Sequence, residues 1–375
     1  MKDLYCSMIH GGLNIDLKKS TGRNQAIVQH CCLRNDNFPV DIDHNFWQNK
    51  ELQTLRETNK KNIWDPGCSN CERLESSNKV SFRTGMNDGL QIVGQTDLSG
   101  PSRIDLMFDI SCNLACRSCG PQNSTYWQRH LKENKLWDQP ISSPRKKNKV
   151  IDVLSKLDLY NLRQLVFCGG ETLLGQEYWD VANWLGDNMP NAKQQLILCF
   201  QTNGTQSIHP KNFDIIEKFY LVKLHISLDG VGRRFEYLRW PANWNQVTDN
   251  ILNLQKKLPG NTMFVVEETI SIFNLLYVNE LKTWLDANFT TNKEGDIINH
   301  TSHLARGIFD LKNMSQEYVD VISQSSQKNL IPTGWTERPV EICNMLAEIK
   351  KFDNFRNESF EKVFPEVAKL YARFL

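Results

Sequence analysis

Through the middle of this chain, short apolar runs alternate with amphipathic helical patterns, and that alternation limits the fold more than any other feature. Residues 103–110, 163–167, 195–202, 221–228 and 262–272 have the length and apolar content of buried strands. Between them lie helical patterns at 124–134 and 177–188, a helix carrying Trp244, Val247, Ile251, Leu254 and Leu258 at helical spacing, and another at 279–289. In the 177–188 helix, Tyr178, Val181, Ala182 and Leu185 share one face. A sixth strand is expected near Ile297 and Ile298. Strands joined by helices build a parallel sheet, because only a crossover returns the chain to the same end.

The chemically unusual residues fall at the ends of these strands. The first runs into SCNLACRSCGP, which places Cys112, Cys116 and Cys119 on one short loop. The second ends in CGGET, the third in QTNGT and the fourth in SLDG. TNG and LDG alone are ordinary turn sequences. Their order is more telling, since parallel barrels build active sites from the loops at the carboxyl ends of their strands. The loop supplies three thiols and no fourth, whereas structural zinc sites and most iron–sulfur clusters close with four protein ligands. Three cysteines suit a cluster with one metal position left for a ligand that is not protein.

Composition narrows the function classes. The 375 residues carry 44 basic and 43 acidic side chains, a net charge of +1 that gives no support for binding nucleic acid by bulk charge. No apolar run reaches the roughly 18 residues of a membrane span, and the start, MKDLYCSMIHGG, lacks a signal-peptide core. The expected location is the cytoplasm, where the eleven cysteines are expected as thiols or metal ligands rather than disulfides. Cys199 and Cys343 sit in apolar patterns and read as small buried side chains. Cys168 reads the same way, with a substrate-side thiol as the alternative. His300 and His303 read as ordinary polar residues, and the basic run Arg145 to Lys149 as a solvated helix start.

The triad followed by Gly-Gly-Glu after the next strand resembles the radical S-adenosylmethionine (SAM) superfamily over about residues 102–300. The resemblance implies an α/β fold, a partial (β/α)6 TIM-like barrel. It implies that Cys112, Cys116 and Cys119 bind a 4Fe–4S cluster whose fourth iron is chelated by SAM. An external one-electron reductant of flavodoxin or ferredoxin type would drive cleavage of SAM to methionine and a 5′-deoxyadenosyl radical, which abstracts hydrogen from a substrate. Carried over by position, Gly169, Gly170 and Glu171 face the methionine amino group. Thr202 and Asn203 lie near the ligand, Ser227 and Asp229 toward the ribose or carboxylate, and Arg239 toward the SAM carboxylate. An ion pair at the surface is the plainer alternative for Arg239. The chain departs from the family at Ser118, where an aromatic residue is usual, and at Thr172, where proline is common.

The N-terminal region carries a second set of cysteines. Residues 9–32 read as a hairpin ending in Cys31 and Cys32, and Cys68 and Cys71 follow a helix. Cys6, Cys31 (or Cys32), Cys68 and Cys71 make four thiols, enough for a closed zinc or 4Fe–4S site. The arrangement resembles a twitch domain, the half-sized relative of the SPASM module, and the chain as a whole looks like radical SAM proteins of tailed phages. The expected organisation is a twitch-like module at 1–80, the barrel at 102–300 and a helical C-terminal extension at 301–375. The helices of the extension suit a cap over the barrel mouth or a partner surface, and nothing in them is assigned chemistry. The expected substrate is a peptide, a protein or a small metabolite. A nucleobase enzyme like 7-carboxy-7-deazaguanine synthase and a non-enzymatic zinc or iron–sulfur protein are the alternatives.

Overall fold

A computed structural model describes all residues except 1–2, 19–24, 35–37, 78, 91–94, 96–97, 143–146 and 290–298. Its strands are β1 (Gly12–Asp16), β2 (Gln25–Gln29), β3 (Phe38–Asp41), β4 (Arg103–Met107), β5 (Gln164–Cys168), β6 (Ile197–Thr202), β7 (Leu221–Ser227), β8 (Thr262–Ile270) and β9 (Asn299–Leu304). They form one nine-stranded sheet in the order β3-β2-β1-β4-β5-β6-β7-β8-β9. From β4 to β9 every neighbouring pair is parallel. This is the α/β, six-stranded parallel architecture expected from the alternation, and the sheet is open, with β3 and β9 at its edges.

The hairpin expected at the N-terminus is β1–β2, and it does not stand apart from the barrel sheet. β1 pairs with β4 in parallel, Leu13 opposite Ile104 and Ile15 opposite Leu106. Leu13, Ile15, Val28 and Trp47 therefore share one apolar core with Leu106, Leu165, Leu198, Leu224 and Val266.

Alternation on β7 shows how the sheet is used. Val222, Leu224 and Ile226 are fully buried toward the helices, whereas Leu221, Lys223, His225 and Ser227 are half-buried on the other face. The opposite faces thus carry different duties, one for packing and one for polar chemistry.

Helices follow at Thr125–Glu133, Lys147–Leu154, Gln176–Asn188, Trp244–Lys257 and Val278–Asn288. Ser124 caps the first of them by accepting from Trp127 N at 3.1 Å. Of the expected basic helix start, Arg145 and Lys146 lie outside the described residues. Ile297 and Ile298 also lie outside them, and the sixth parallel strand is seen at Asn299–Leu304.

β4 is shorter than the apolar run that encodes it. Asp109 Oδ1 accepts from Ile110 N at 2.7 Å, Ser111 N at 3.0 Å and Ser111 Oγ at 3.0 Å, which turns the chain out of the ladder toward the cysteines. After β9 the chain packs a second core, in which Phe273, Phe309, Tyr318, Ile342, Met345 and Phe364 meet. Cys343 corrects the expectation of a buried thiol: it is exposed on the helix Pro339–Arg356, while Ile342, Met345, Leu346 and Ile349 take the core side. None of the described helices is long and apolar enough to cross a membrane.

Candidate metal and cofactor site at the strand ends

The cysteine loop leaves β4 and is fastened from several sides. Thr125 N donates to Ile110 O at 3.0 Å, Ser124 Oγ to Leu114 O at 2.6 Å and Trp127 Nε1 to Cys116 O at 2.9 Å. On the far side, Ala115 N donates to Trp240 O at 2.7 Å and Arg117 N to Leu238 O at 2.8 Å. Cys112, Cys116 and Cys119 are all mostly out of solvent, and Ser118 between them is exposed. Burial pushes all three thiols up, Cys112 to about 11, with Arg239 opposing the shift at Cys116. Buried thiols of this kind become thiolates when a metal centre supplies the countercharge.

The Gly-Gly-Glu segment packs directly on this loop. Glu171 N donates to Ser111 O at 2.7 Å. Gly169 and Gly170 have φ of +92° and +40°, and a Cβ on them would lie 2.5 Å from Asp109 O and 2.3 Å from Ser111 O. Glycine is needed there because two backbones meet. The close neighbour of both glycines is the cysteine loop itself.

Glu171 is fully buried. Its Oε1 accepts from Thr202 Oγ1 at 2.7 Å and Leu173 N at 2.9 Å, and its Oε2 from Asn203 N at 2.6 Å. Burial pushes this carboxyl up and those three donors pull it back. Thr202 and Asn203 are thereby joined to Glu171, and Asn203 Nδ2 reaches on to Asn113 Oδ1 at 3.0 Å and Cys112 Sγ at 3.9 Å. Thr172, in the place of the common proline, donates to Gln201 O at 2.8 Å.

The fourth strand end completes the ring. Arg239 Nε pairs with Asp229 Oδ2 at 2.9 Å, and Arg239 Nη1 lies 4.0 Å from Cys116 Sγ. Both residues are buried, so the plain surface pair is replaced by a buried one beside a thiol. Although burial disfavours its charge, Asp229 and the neighbouring thiols hold the Arg239 guanidinium above its ordinary value. Ser227 ends β7, half-buried and in register with Glu267. Cys168, at the end of β5, points its Sγ at Val166 O, 3.8 Å away, and Cys199 is fully buried.

The polar face of β7 adds a pair that has no local sequence cue. His225 Nδ1 lies 2.7 Å from Glu267 Oε1. Burial lowers the imidazole, but contacts with Cys199 and Glu267 outweigh it and raise the group from 6.5 to about 9. A base raised on folding stabilises the fold fully below its unfolded value and loses that contribution as pH climbs through the folded one. The His225–Glu267 contribution is therefore present below pH 6.5 and disappears as pH passes about 9. We expect nitrogen-resolved NMR to give His225 a midpoint near 9, and Glu267→Gln to lower it; a midpoint at or below 6.5 in the unaltered protein contradicts the pairing.

The N-terminal cysteines gather at the other end of the sheet. Cys6 precedes β1 and Cys31 follows the antiparallel β2, so both lie where β4 begins, whereas the triad lies where β4 finishes. Cys6, Cys31, Cys68 and Cys71 line a single cavity with Arg34, Asp65 and Arg83. Cys32 does not line it and is exposed, which separates the two adjacent cysteines. Arg34 donates to Cys68 Sγ at 3.3 Å and to Asp65 Oδ1 at 2.7 Å, and Arg83 is held by Glu75 at 2.7 Å. Burial raises Cys6 to about 11. Four thiols on one cavity, one of them accepting from Arg34, fit a four-cysteine metal centre. Among the described residues, no three His, Cys, Asp or Glu side chains converge closely enough to hold a single metal ion, at either end of the sheet.

His300 Nε2 lies 3.1 Å from Glu268 Oε2, an ordinary polar pairing. The C-terminal extension, expected as a cap over the barrel mouth or a partner surface without chemistry of its own, touches the cysteine loop directly. Arg117, between Cys116 and Ser118, meets Asp353 and Glu358 of that extension, and Arg356 meets the Ala115 carbonyl. Their only sequence cue is that Arg117 lies inside the cysteine motif.

No protein-family model matches the chain, and no curated protein matches its sequence. Among solved structures it is similar to Streptococcus suis SuiB bound to S-adenosylmethionine, at 12% identity and a TM-score of 0.41, over 94% of this chain and 74% of that one. SuiB bound to the precursor peptide SuiA gives 12% identity and a TM-score of 0.39, over 95% and 74%. The structure of anSMEcpe with bound AdoMet and Cp18Cys peptide gives 16% identity and a TM-score of 0.39, over 68% of this chain and 61% of that one.

Proposed function

We propose that this protein is a radical SAM enzyme with one auxiliary metal centre. The observation that carries the reading is the junction of two strand ends. The loop bearing Cys112, Cys116 and Cys119 lies backbone to backbone against Gly169, Gly170 and Glu171, joined by the 2.7 Å bond from Glu171 N to Ser111 O. One buried and two half-buried thiols beside a buried arginine fit a 4Fe–4S cluster that lacks one protein ligand. Cys112, Cys116 and Cys119 would hold such a cluster, and when bound it would supply the electron for reductive cleavage of SAM.

The chain's own residues fix the geometry around that chemistry. Glu171 ties the ends of β5 and β6 together through Thr202 and Asn203. Asn203 in turn reaches Asn113 inside the cysteine loop. Arg239, anchored by Asp229, sets a positive charge beside Cys116 and is the candidate for the SAM carboxylate. Gly169, Gly170, Ser227 and Asp229 complete the proposed SAM surroundings. The half-buried polar face of β7 and β8, with His225 and Glu267, is the candidate substrate surface for a peptide, a protein or a small metabolite.

Cys6, Cys31, Cys68 and Cys71 are the proposed ligands of the auxiliary centre, a second 4Fe–4S cluster in a twitch-like module. Arg34, fixed by Asp65, donates to the Cys68 sulfur. Anaerobic purification and reconstitution test the reading. Two clusters give about eight irons per chain, and reduced protein with SAM releases 5′-deoxyadenosine. About four irons together with zinc would keep the reaction and replace the auxiliary cluster. A colourless zinc protein would end the enzyme reading.

A further inference from the structure

The cysteine loop is gripped from beneath by the C-terminal extension. The Arg117 side chain is only 1% exposed and donates from Nη2 to Asp353 Oδ1 at 2.5 Å and to Glu358 Oε2 at 2.8 Å. Its Nε donates to Tyr237 O at 3.2 Å, and its guanidinium lies 3.7 Å from the centre of the Tyr237 ring. Asp353 is itself fixed: Tyr237 Oη donates to it at 2.8 Å and Phe360 N at 2.6 Å.

Three residues along, Arg356 donates from Nη2 to Ala115 O at 2.9 Å. Its guanidinium sits among Trp127, Trp240 and Phe352, at 4.8, 4.8 and 5.2 Å from the ring centres. Nη1 of Arg117 and Nη1 of Arg356 are buried without a hydrogen-bond partner. Arg356 also lies within electrostatic reach of the Cys116 thiol. A buried donor without a partner is costly, so two of them under one loop ask for an acceptor.

We propose that the C-terminal extension is a working part of the triad site, in which Asp353 and Glu358 lock Arg117, Arg356 holds the Ala115 carbonyl, and the two cations support a negatively charged cluster on Cys112, Cys116 and Cys119. This deepens the radical SAM reading and rests on it. Asp353, Glu358, Arg117 and Arg356 are positioning residues: they act through the loop that carries the ligands. Outer groups of this kind orient the ligands, and losing one typically costs about 10- to 100-fold in metal affinity or activity.

The test uses full-length protein, reconstituted anaerobically, with Asp353→Asn, Glu358→Gln and Arg356→Leu. Lys350→Gln, an exposed change on the same helix, serves as the control. Loss of iron to a chelator and the electron paramagnetic resonance of the reduced protein with and without SAM are the readouts. SAM alters the signal only of a cluster with an open iron, so the triad is followed separately from the N-terminal centre.

Asp353→Asn and Arg356→Leu are expected to speed iron loss from the triad about 10- to 100-fold and to shift its SAM-dependent signal. Lys350→Gln and the N-terminal centre should stay as in the unaltered protein. Glu358→Gln removes only the outer carboxylate and decides the matter if the other variants do not fold. Folded variants whose triad iron and signal match the unaltered protein would overturn the proposal. An unaltered protein that takes up no iron at the triad would instead overturn the radical SAM reading, and this inference with it.

Discussion

Replacing Cys116 with alanine should abolish release of 5′-deoxyadenosine from SAM while the N-terminal centre keeps its metal. Cys116 is the middle ligand of the proposed cluster and is buried, and its carbonyl accepts from Cys119 N at 3.0 Å and Trp127 Nε1 at 2.9 Å. Those bonds involve the backbone, so the substitution leaves the loop's scaffold in place and removes one sulfur. Two remaining cysteines make a poor holder for a cluster that normally takes three or four. The iron content should fall from about eight per chain to about four. The two sets of cysteines lie at opposite ends of the parallel β1–β4 pair, so loss at one end leaves the other set untouched. The measurement is chromatographic detection of 5′-deoxyadenosine beside an iron assay. Continued SAM cleavage by the variant would show that the triad is not where the reaction starts.

The parallel sheet and the triad were legible because both are local. Five of the six parallel strands carry apolar runs, and the cysteines are three letters in one short motif. β9 was harder, since Asn299–Leu304 reads NHTSHL: it is an edge strand whose residues from Thr301 onward are exposed, and it has no apolar period to announce it. The union of the N-terminal hairpin with the barrel was hidden for a different reason. Its evidence is the pairing of β1 with β4, between residues about ninety positions apart, and sequence periodicity does not encode which edges meet. Arg117 and Asp353 are separated by 236 positions, and neither is unusual in its own neighbourhood. Glycine showed a subtler limit. Gly169 and Gly170 are legible as part of the Gly-Gly-Glu motif, but that the backbone of residues 109–111 packs on them is visible only in the structure.

Glu171→Gln should destabilise the protein by about 2–4 kcal/mol, more than any other single isosteric change at the strand ends. Glu171 has no exposed surface, and every hydrogen bond to its carboxylate comes from a donor: Thr202 Oγ1, Leu173 N and Asn203 N. A glutamine can place its oxygen against Thr202 and Leu173, but its amide nitrogen then faces the Asn203 N–H, two donors where there had been a bond of 2.6 Å. The reverse orientation also strands a donor, because the nitrogen then confronts the Leu173 N–H. The charge that strengthened the bonds is lost as well. Thr202→Val gives the graded comparison: it removes one donor of the three and should cost only about 1–2 kcal/mol. Chemical unfolding of the metal-free protein measures both losses without any contribution from a cluster. Because the Asn203 amide also fixes the segment that reaches Asn113, the glutamine variant should bind SAM more weakly even where folding is restored at low temperature. Equal stability of Glu171→Gln and the unaltered protein would mean that the carboxyl is already protonated in the fold and that its role at the junction of β5 and β6 is not electrostatic.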